Sequence, residues 1–594
     1  MSTQTGSAAA GRRAALRRLV AYIRRNKGYY AVWLATTLAY TAGFLAIPRL
    51  VGWTVAAYQQ HLGPEAVAGR VLAIAGVALA TMLVRFYSRT LAFNAAREIE
   101  YEIRNDLFAH LERLPQSFYH RWRTGDIMSR CVNDVNAVRL LLGVGLLNVV
   151  QTPILYVGAF AMMLTIDVRL ALLVFLPYPT FILIARTLGR SIHHWSLQVQ
   201  EGLGDLSNRL QESISGIAVV KAYAMEGLIG RRFAATNREL YTRQLGLARA
   251  NAAMPAVVSL LPAMAMWLIL LVGGQEILAG RMGADDFFTF SMYVYQLTFP
   301  TVIMGWVVAL VQRGAASMQR IDELLSTPPA IADRPDPAPV TSLRGEIEIR
   351  DLTFRYQDQD RQPALRHLSL CVPVGTTLGV VGTVGSGKST LASLIPRLFE
   401  VEDGRIFIDG IDVNRIPLKV LRSHIAMVPQ ESFLFSMSLA GNVAFGLERT
   451  DPGAVRQAAE RAQLAKDVAE LPDGYDTLVG ERGVMLSGGQ RQRTALARAL
   501  ALDPRILILD DTLSAVDAQT EEAIRRELAQ VFRGRTVIVV SSRVSAVRGA
   551  QQIAVLDEGR MVERGTHEEL LAAGGLYARL AREQAEREEL EGAA

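Results

Sequence analysis

The sequence predicts two dissimilar parts, an all-α six-helix transmembrane domain followed by an α/β domain. Three observations carry this prediction: six long apolar runs in the first half, a proline-rich junction, and a glycine-rich loop between a buried strand and a helix in the second half. A chain of 594 residues is also too long for one compact domain. Its 50% hydrophobic and 20% charged residues suit a combination of membrane-embedded and soluble parts.

These patterns divide the chain into four consecutive ranges. In residues 11–26, apolar side chains recur at helical spacing among arginines, which favours a helix lying at the membrane interface; a disordered basic tail is the alternative. The proline-rich stretch after the last apolar run is typical of a linker. The predicted ranges are a basic tail with an interfacial elbow helix at 1–27, the transmembrane domain at 28–324, the linker at 325–345 and the α/β domain at 346–594.

The apolar runs predict six membrane spans, because each is close to the roughly 20 residues that cross a bilayer core. Arginines cluster before the first run and in the second and fourth links, and are sparse in the other links. By the positive-inside rule, both termini and two long links lie in the cytoplasm. The runs centre on 31–52, 66–84, 140–165, 168–186, 253–275 and 287–311.

The net charge of +6 could indicate a nucleic-acid or an anionic-lipid partner. Because the arginines cluster beside the apolar runs, the lipid bilayer is the predicted partner and no nucleic acid is expected. The two cysteines, Cys131 and Cys371, lie far apart, so the sequence predicts no disulfide framework and fits a reducing compartment.

A phosphate-binding loop is predicted where the apolar stretch LGVV runs into GTVGSGKST. Glycines let backbone amides converge on phosphate oxygens, a lysine reaches the terminal phosphates, and a hydroxyl contacts magnesium. A strand before the loop and a helix after it is the context that this motif requires. The candidate residues are Gly382, Gly385, Ser386, Gly387, Lys388, Ser389 and Thr390.

A second buried strand, RILILDD at 505–511, ends in two carboxylates. Beside a phosphate loop, Asp510 is placed to hold magnesium through water. The sequence therefore predicts an Mg²⁺ site next to the bound phosphates.

Between these motifs lies LSGGQRQR, residues 486–493, and with it the chain resembles an ATP-binding cassette (ABC) exporter half-transporter of the type IV fold, in the multidrug and lipid exporter group. The α/β part then resembles a P-loop ABC nucleotide-binding domain. Two segments in the first half, 124–135 and 210–226, resemble the intracellular links that carry the family's coupling helices. Further matches are Tyr356 (adenine-stacking aromatic), Gln430 (Q-loop), 477–483 (the exporter loop before the signature) and 514–517 (D-loop, with Asp517).

The resemblance implies that two nucleotide-binding domains close around two ATP molecules, each held by the phosphate loop of one chain and the signature of the other. ATP and Mg²⁺ are the implied cofactors. Magnesium would be contacted by Ser389, Gln430 and Asp510. The signature residues acting on the partner's ATP would be Ser487, Gly488, Gly489 and Gln490.

The chain departs from the family at two positions of its own ATP site. Asp511 stands where the family has the catalytic glutamate, and its carboxylate reaches about 1.5 Å less far, the length of one C–C bond. A misplacement of 1 Å in a catalytic group can cost about 100-fold. Ser542 stands where the family has the switch histidine that contacts the γ-phosphate. Both losses predict a degenerate, slowly hydrolysing site.

An intact signature beside a degenerate site favours a heterodimer, in which a second half-transporter supplies the catalytic glutamate and switch histidine. The alternatives are a slowly hydrolysing homodimeric exporter and a nucleotide-gated channel or sensor on the same fold. Expected substrates are hydrophobic or amphipathic, and the expected location is a bacterial inner membrane. Several side chains in the last two spans, most of them aromatic or methionine, fit an adaptable substrate cavity and ordinary helix packing equally well. They are Met264, Met266 and Trp267 in the fifth span and Tyr293, Tyr295, Gln296, Phe299 and Trp306 in the sixth.

Overall fold

The computed structural model describes residues 2–356, 362–480, 483, 485–512 and 518–592. It divides into two units. The first comprises the chain up to Ala109 together with Gly125–Thr327, and the second comprises His110–Thr124 together with the chain from Pro328 onward. The sequence predicts that residues 110–124 belong to the transmembrane domain. In the structure this short stretch packs with the α/β part.

The first half of the chain is helical throughout, as predicted. Its helices are α1 (Ser2–Arg25), α2 (Lys27–Gln59), α3 (Pro64–Leu111), α4 (Gln116–Arg121), α5 (Thr124–Ser129), α6 (Val135–Leu140), α7 (Leu146–Leu164), α8 (Val168–Phe175), α9 (Tyr178–Ser215), α10 (Ile217–Ala222), α11 (Glu226–Leu268), α12 (Gly274–Leu278) and α13 (Ala284–Leu325). Five-residue π-helical stretches at Arg130–Asp134, Leu141–Gly145 and Ile269–Gly273 join some of them without a break.

Among the described residues, five helical segments are long and apolar enough to cross a membrane. They coincide with five of the six predicted spans and are Lys27–Gln59, Pro64–Leu111, Thr124–Leu164, Glu226–Leu278 and Ala284–Leu325. The remaining predicted span, 168–186, is divided between α8 and α9. The helix is interrupted at Leu176–Pro177 because a proline has no N–H with which to continue the helical hydrogen bonding.

The N-terminal helix α1 packs on the first unit along one face. Leu19 and Tyr22 are buried there, and the Tyr22 hydroxyl donates to Asp106 Oδ2 at 2.7 Å. The Arg18 guanidinium pairs with Asp322 at 2.7 Å. The opposite face leaves Leu16 60% exposed. The residues expected to form an interfacial helix are therefore helical, with an apolar side chain left on the outer face.

The C-terminal part of α2 and the N-terminal part of α13 are joined by side-chain hydrogen bonds. Tyr293 is fully buried, and its hydroxyl donates to the carbonyl oxygen of Leu45 at 3.0 Å. Gln296 Nε2 donates to the carbonyl oxygen of Phe44 at 2.8 Å. These two residues thus serve helix packing, one of the two roles that the sequence left open for them. Arg49, near the end of the first span, pairs with Asp286 at 3.3 Å.

The second unit is built on two sheets within its described residues. The smaller is antiparallel, in the order β2-β1-β4-β5, and the larger has the order β10-β9-β3-β8-β7-β6, with parallel pairing from β9 to β6. The strands are β1 (Ile347–Phe354), β2 (Leu365–Val372), β3 (Thr377–Gly382), β4 (Ile406–Ile408), β5 (Ile411–Asp412), β6 (Ile425–Val428), β7 (Ile506–Asp510), β8 (Thr536–Val540), β9 (Gln552–Asp557) and β10 (Arg560–Gly565).

From Pro328 onward, the described part of this unit contains ten α-helices. They are α14 (Lys388–Leu394), α15 (Leu418–His424), α16 (Leu439–Val443), α17 (Pro452–Arg461), α18 (Ala465–Glu470), α19 (Gly488–Ala501), α20 (Ala518–Val531), α21 (Val544–Val547), α22 (His567–Ala573) and α23 (Leu576–Gly592). Both β3 and β7 are buried along their whole length, as expected for central parallel strands. Their carboxyl ends lie on either side of β8 and carry the predicted phosphate loop and the two carboxylates.

Candidate functional site

The predicted phosphate loop leaves β3 at Gly382 and enters α14 at Lys388. A side chain at Gly382 would place its Cβ 2.0 Å from the carbonyl oxygen of Leu556, so only glycine fits there. Gly387 has φ of 95°, and its Cβ would lie 2.5 Å from the carbonyl oxygen of Ala364. Glycine at both positions therefore lets the backbone turn sharply from strand to helix, the geometry in which loop amides face a phosphate.

Lys388 folds its side chain over this loop. Its Nζ donates to the carbonyl oxygens of Gly382 at 3.0 Å and Thr383 at 2.8 Å. Burial lowers the pKa of Lys388, and the nearby carboxylates of Asp511 and Asp510 oppose that shift. The ammonium is thus held at the mouth of the loop, with negative charge at the end of β7 to balance it.

Ser389 and Asp510 meet directly, as expected for two groups that share one cation. The Ser389 hydroxyl donates to Asp510 Oδ1 at 3.0 Å. Burial raises the pKa of Asp510, while the bond from Ser389 and the charge of Lys388 partly offset this. The exposed Gln430 contributes a side chain to the same cleft. A hydroxyl, a carboxylate and an amide oxygen form a donor set that fits Mg²⁺, a hard cation that prefers oxygen.

The aromatic ring of Tyr356 stands at another edge of the site. Its hydroxyl is 3.0 Å from Thr390 Oγ1, directly beyond Ser389 in α14. Its ring meets that of Phe399 edge-on, with centroids 5.2 Å apart, and that of Phe354 at 5.0 Å. The ring is therefore fixed in orientation beside the phosphate loop.

These residues line one cleft of about 390 Å³. The structure brings together nearly all residues that the sequence assigned to this chain's own ATP site, while Gly382 lies immediately before the loop at the end of β3. The predicted residues that line the cleft are Tyr356, Gly385, Ser386, Gly387, Lys388, Ser389, Thr390, Gln430, Asp510, Asp511 and Ser542.

Asp511 and Ser542, the two departures from the family, lie in this cleft. Asp511 has φ of 47°, and its N–H donates to the carbonyl oxygen of Val540 at 2.8 Å, which fixes the backbone at this turn. The Ser542 carbonyl oxygen accepts a hydrogen bond from Gln584 Nε2 at 2.8 Å. Both positions are thus anchored through their backbones, and their short side chains decide what reaches the cleft.

Sequence reasoning missed Ser541, a buried residue that contacts Asp511 and directly precedes Ser542. Its hydroxyl donates to Asp511 Oδ1 at 3.2 Å and accepts from the Arg543 N–H at 3.0 Å. It also lines the cleft. Its only signal in the sequence was its place next to Ser542, which says nothing about contact with a residue 30 positions away.

The signature residues lie elsewhere in the same unit. Ser487 caps the N-terminus of α19, where its hydroxyl accepts from the Gln490 N–H at 3.2 Å and the Gln490 side chain bonds back to the Ser487 N–H at 3.0 Å. Gly488 and Gly489 form the first turn. Of the described residues that line the cleft, none belongs to the signature. Asp517 lies outside the described residues, as do Glu481 and Arg482 of the exporter loop.

Comparison with known proteins agrees with this architecture. The family model for the ABC transporter transmembrane region matches residues 31–301, and the ABC transporter model matches residues 365–514. The chain is 34% identical over 565 residues to the multidrug resistance-like ATP-binding protein MdlA of Escherichia coli, with 95% of each chain covered. It is also 34% identical over 568 residues to the ATP-dependent lipid A-core flippase of Chromobacterium violaceum, which covers 95% of this chain and 96% of the flippase.

A solved structure has a similar fold over nearly the whole length of the chain. A bacterial Atm1-family ABC exporter with ATP bound superposes with a TM-score of 0.79 at 29% sequence identity, over 95% of this chain and 98% of the other. The fold class predicted from the sequence is confirmed, and so is the broader resemblance. The chain belongs to the ABC transporter family and is an ABC exporter in which a helical transmembrane region precedes the ATP-binding domain.

Proposed function

We propose that this chain is one subunit of a heterodimeric exporter and that its own ATP site hydrolyses slowly. The ABC domain implies ATP-driven transport. The names of the relatives, a multidrug resistance-like protein and a lipid A-core flippase, favour hydrophobic or amphipathic substrates leaving the cytoplasm or the inner leaflet. The arginine distribution favours cytoplasmic termini in a bacterial inner membrane.

The predicted ligand-binding residues each have a role in this proposal. Tyr356 contacts the adenine, the loop from Gly382 to Thr390 holds the phosphates, and Lys388 supplies the cation that faces the β- and γ-phosphates. Ser389, Asp510 and Gln430 would hold magnesium, which would supply positive charge beside the phosphate groups. The hydrogen bond from Ser389 to Asp510 supports this set, because it keeps two oxygen ligands within reach of one ion.

One observation carries the degenerate-site proposal: a complete set of binding groups shares its cleft with Asp511 and Ser542. Asp511 replaces a glutamate with a carboxylate that is one methylene shorter, and the Ser541 hydroxyl already binds that carboxylate at 3.2 Å. Ser542 offers a short neutral hydroxyl in place of a long imidazole. Binding is thereby preserved while the two groups closest to the hydrolytic step lose reach.

The intact signature favours a second, different chain. Its residues are not among the described residues that line this chain's cleft. In a pair they would complete the site of the partner, which would carry the missing glutamate and histidine. One alternative is a homodimer with slow turnover. The other is a nucleotide-gated channel or sensor on the same fold. Vectorial uptake into inside-out vesicles distinguishes a pump from a channel or sensor.

The test compares two carboxylates in the purified complex. Asp511→Asn should leave steady-state ATPase within about twofold of the unmodified complex, because a misplaced base contributes little to turnover. Replacing the partner's catalytic glutamate by glutamine should lower it by about 100-fold or more. The pair Asp511→Glu with Ser542→His should raise hydrolysis at this site, since it restores both reach and a γ-phosphate contact.

Labelling with a photoreactive ATP analogue provides the matched control. Lys388→Ala should abolish labelling of this chain, whereas Asp511→Asn should keep it, which shows that binding and hydrolysis are separable at one cleft. A large fall in ATPase with Asp511→Asn would contradict the degenerate site. Robust ATPase and transport by this chain purified alone would replace the heterodimer with a homodimer that uses Asp511 as its base.

A further inference from the structure

The stretch His110–Thr124 belongs to the same unit as the ATP cleft, although its neighbours on both sides belong to the transmembrane unit. Its centre is α4, where Phe118 is only 2% exposed and stacks on Trp122 with centroids 5.4 Å apart. The His120 side chain follows on the exposed side of this helix. We call residues 110–124 the link segment.

A continuous row of aromatic rings connects the link segment to the ATP cleft. The His120 ring lies 5.8 Å from the ring of Phe399, measured between centroids. Phe399 lies 5.2 Å from the ring of Tyr356, at an interplanar angle of 87°. These separations are within the range in which ring pairs attract one another beyond simple burial. Tyr356 ends the row at the cleft, where its hydroxyl meets Thr390.

Phe399 is the fixed member of this row. It is 5% exposed and packs in a hydrophobic core to which both sheets contribute. Phe354, at the end of β1, contacts both Phe399 and Tyr356, with centroids 6.1 and 5.0 Å away. In a close-packed core a ring held on several sides transmits a displacement to its neighbours.

A second cleft lies beside the row and shares its residues. It has a volume of about 420 Å³, and Ser117 of the link segment, Phe354, Tyr356 and Phe399 are among its lining residues. Tyr356 also lines the ATP cleft. Tyr356 thus lines both clefts, and its contacts with Phe399, Phe354 and Thr390 hold the ring between them.

We propose that Phe399 is a positioning residue that connects Tyr356 to His120, so that the base of the bound nucleotide, and not only its phosphates, sets the packing of the link segment. The inference rests on the proposed adenine contact of Tyr356. A base stacked on Tyr356 restricts the motion of that ring. The Tyr356 ring in turn contacts the ring of Phe399, and the Phe399 ring contacts His120. A nucleotide whose base stacks poorly leaves the link segment looser.

Limited trypsin digestion of the full-length chain in nanodiscs tests this, because Arg113, Arg121 and Arg123 place cleavage sites within the link segment. ATP should slow cleavage there by about threefold, a size that suits one edge-to-face ring contact. CTP, at a concentration giving equal occupancy by photolabel competition, should protect little. His120→Ala should abolish the protection by ATP without changing nucleotide occupancy, and His120→Phe should keep it.

Three further variants make the outcome specific. Gln116→Ala, on the exposed start of α4, is the matched control and should retain full protection by ATP. Phe399→Leu should behave like His120→Ala. Tyr356→Ala should weaken ATP labelling itself; if it does not, the proposed adenine role fails, and the connection fails with it. If Tyr356→Ala weakens labelling but His120→Ala retains protection, only the connection is overturned. Equal protection by CTP and ATP in the unmodified chain would also overturn it.

Discussion

The protonation state that burial favours at Asp510 is the opposite of the one that the proposed Mg²⁺ would require. The side chain is almost completely buried at the end of β7, and burial raises its pKa because the charged form loses hydration. Ser389 and Lys388 offset only part of this. Burial therefore disfavours the ionised form of Asp510 in the protein alone, and the proposed Mg²⁺ would favour that form if it bound there.

Because the ionised Asp510 side chain is costly to bury, we predict that Asp510→Asn stabilises the chain free of magnesium and nucleotide. A carboxyl group whose pKa is raised by folding stabilises the folded state below its unfolded pKa, and this contribution is lost as pH rises through the folded pKa. The asparagine variant should therefore unfold at a temperature similar to the unmodified chain at acidic pH and at a higher one near neutral pH. Its amide oxygen can still accept the bond from Ser389.

Thermal unfolding of the purified chain in chelator, measured across pH, checks this expectation. Asp473→Asn removes an exposed carboxylate from the same unit and should give no such pH-dependent gain. The Asp510 variant should also lose magnesium-dependent retention of nucleotide. A lower unfolding temperature than the unmodified chain at neutral pH would contradict the account.

The residues of the cleft differ in how far the sequence could predict them. The phosphate loop was predictable because its glycines are required by local geometry, as the Cβ collision at Gly382 shows. Ser541 and Gln584 were not predictable, because their contacts with Asp511 and Ser542 span 30 and 42 residues and follow no repeating pattern. Motifs that bind a fixed ligand leave a signature in sequence, whereas supporting contacts of this kind need the fold.

At the scale of elements, the pairing of α2 with α13 shows how a proline in a membrane helix is accommodated. Pro48 has no N–H, so the carbonyl oxygen of Phe44, four residues earlier, has lost its helical partner. Gln296 Nε2 donates to that oxygen at 2.8 Å. The Thr289 hydroxyl lies 3.3 Å from the Pro48 carbonyl oxygen, but it has one hydrogen and is closer, at 2.8 Å, to the Asp285 carbonyl oxygen of its own helix. In a bilayer such bonds matter because no water can replace them.

A double-mutant cycle tests this pairing. Gln296→Leu should destabilise the unmodified chain by about 1–3 kcal/mol, the cost of leaving a buried carbonyl without a donor. In a Pro48→Ala background the same change should cost much less, because the alanine restores a backbone N–H that can donate to the Phe44 carbonyl oxygen. The measurement is thermal unfolding of the four variants in one detergent.

Thr298→Val is the matched control for this cycle, because the Thr298 hydroxyl bonds within its own helix, to the Val294 carbonyl oxygen. Its effect should be the same with either residue at position 48. An equal loss from Gln296→Leu in both backgrounds would show that the glutamine does not act through the carbonyl freed by Pro48.

Hydropathy predicted the helices of the first half well but not their continuity. Apolar length identifies a span, and five runs correspond to long helices. The run at 168–186 contains two prolines, and the helix breaks at the first of them, so apolar length alone overestimated its continuity. The link segment shows a related limit, because sequence position placed it with the transmembrane helices and packing places it with the sheet.

At the scale of the whole molecule, the second unit carries two separate groups of residues that the proposed function assigns to ATP sites. One part is the cleft at the ends of β3 and β7. The other is the signature at the start of α19, whose exposed Ser487 is held in place by reciprocal bonds with Gln490. Because the described lining of the cleft contains no signature residue, this arrangement supports a site completed by a second chain.

Substitution of Ser487 separates the two parts functionally. Ser487→Arg should lower steady-state ATPase of the assembled complex by at least about tenfold, since a bulky cation at the signature would obstruct closure over the partner's nucleotide and a lost contact of about 1.4 kcal/mol already gives that factor. Photolabelling of this chain's own site should be unchanged. Ser487→Thr keeps both the hydroxyl and a good N-cap and should retain most activity, which separates the signature contact from the stability of α19.

Near-normal ATPase in the arginine variant would show that the signature does not contribute to the working site. Loss of labelling on this chain as well would mean that the two parts of the site depend on each other within one subunit.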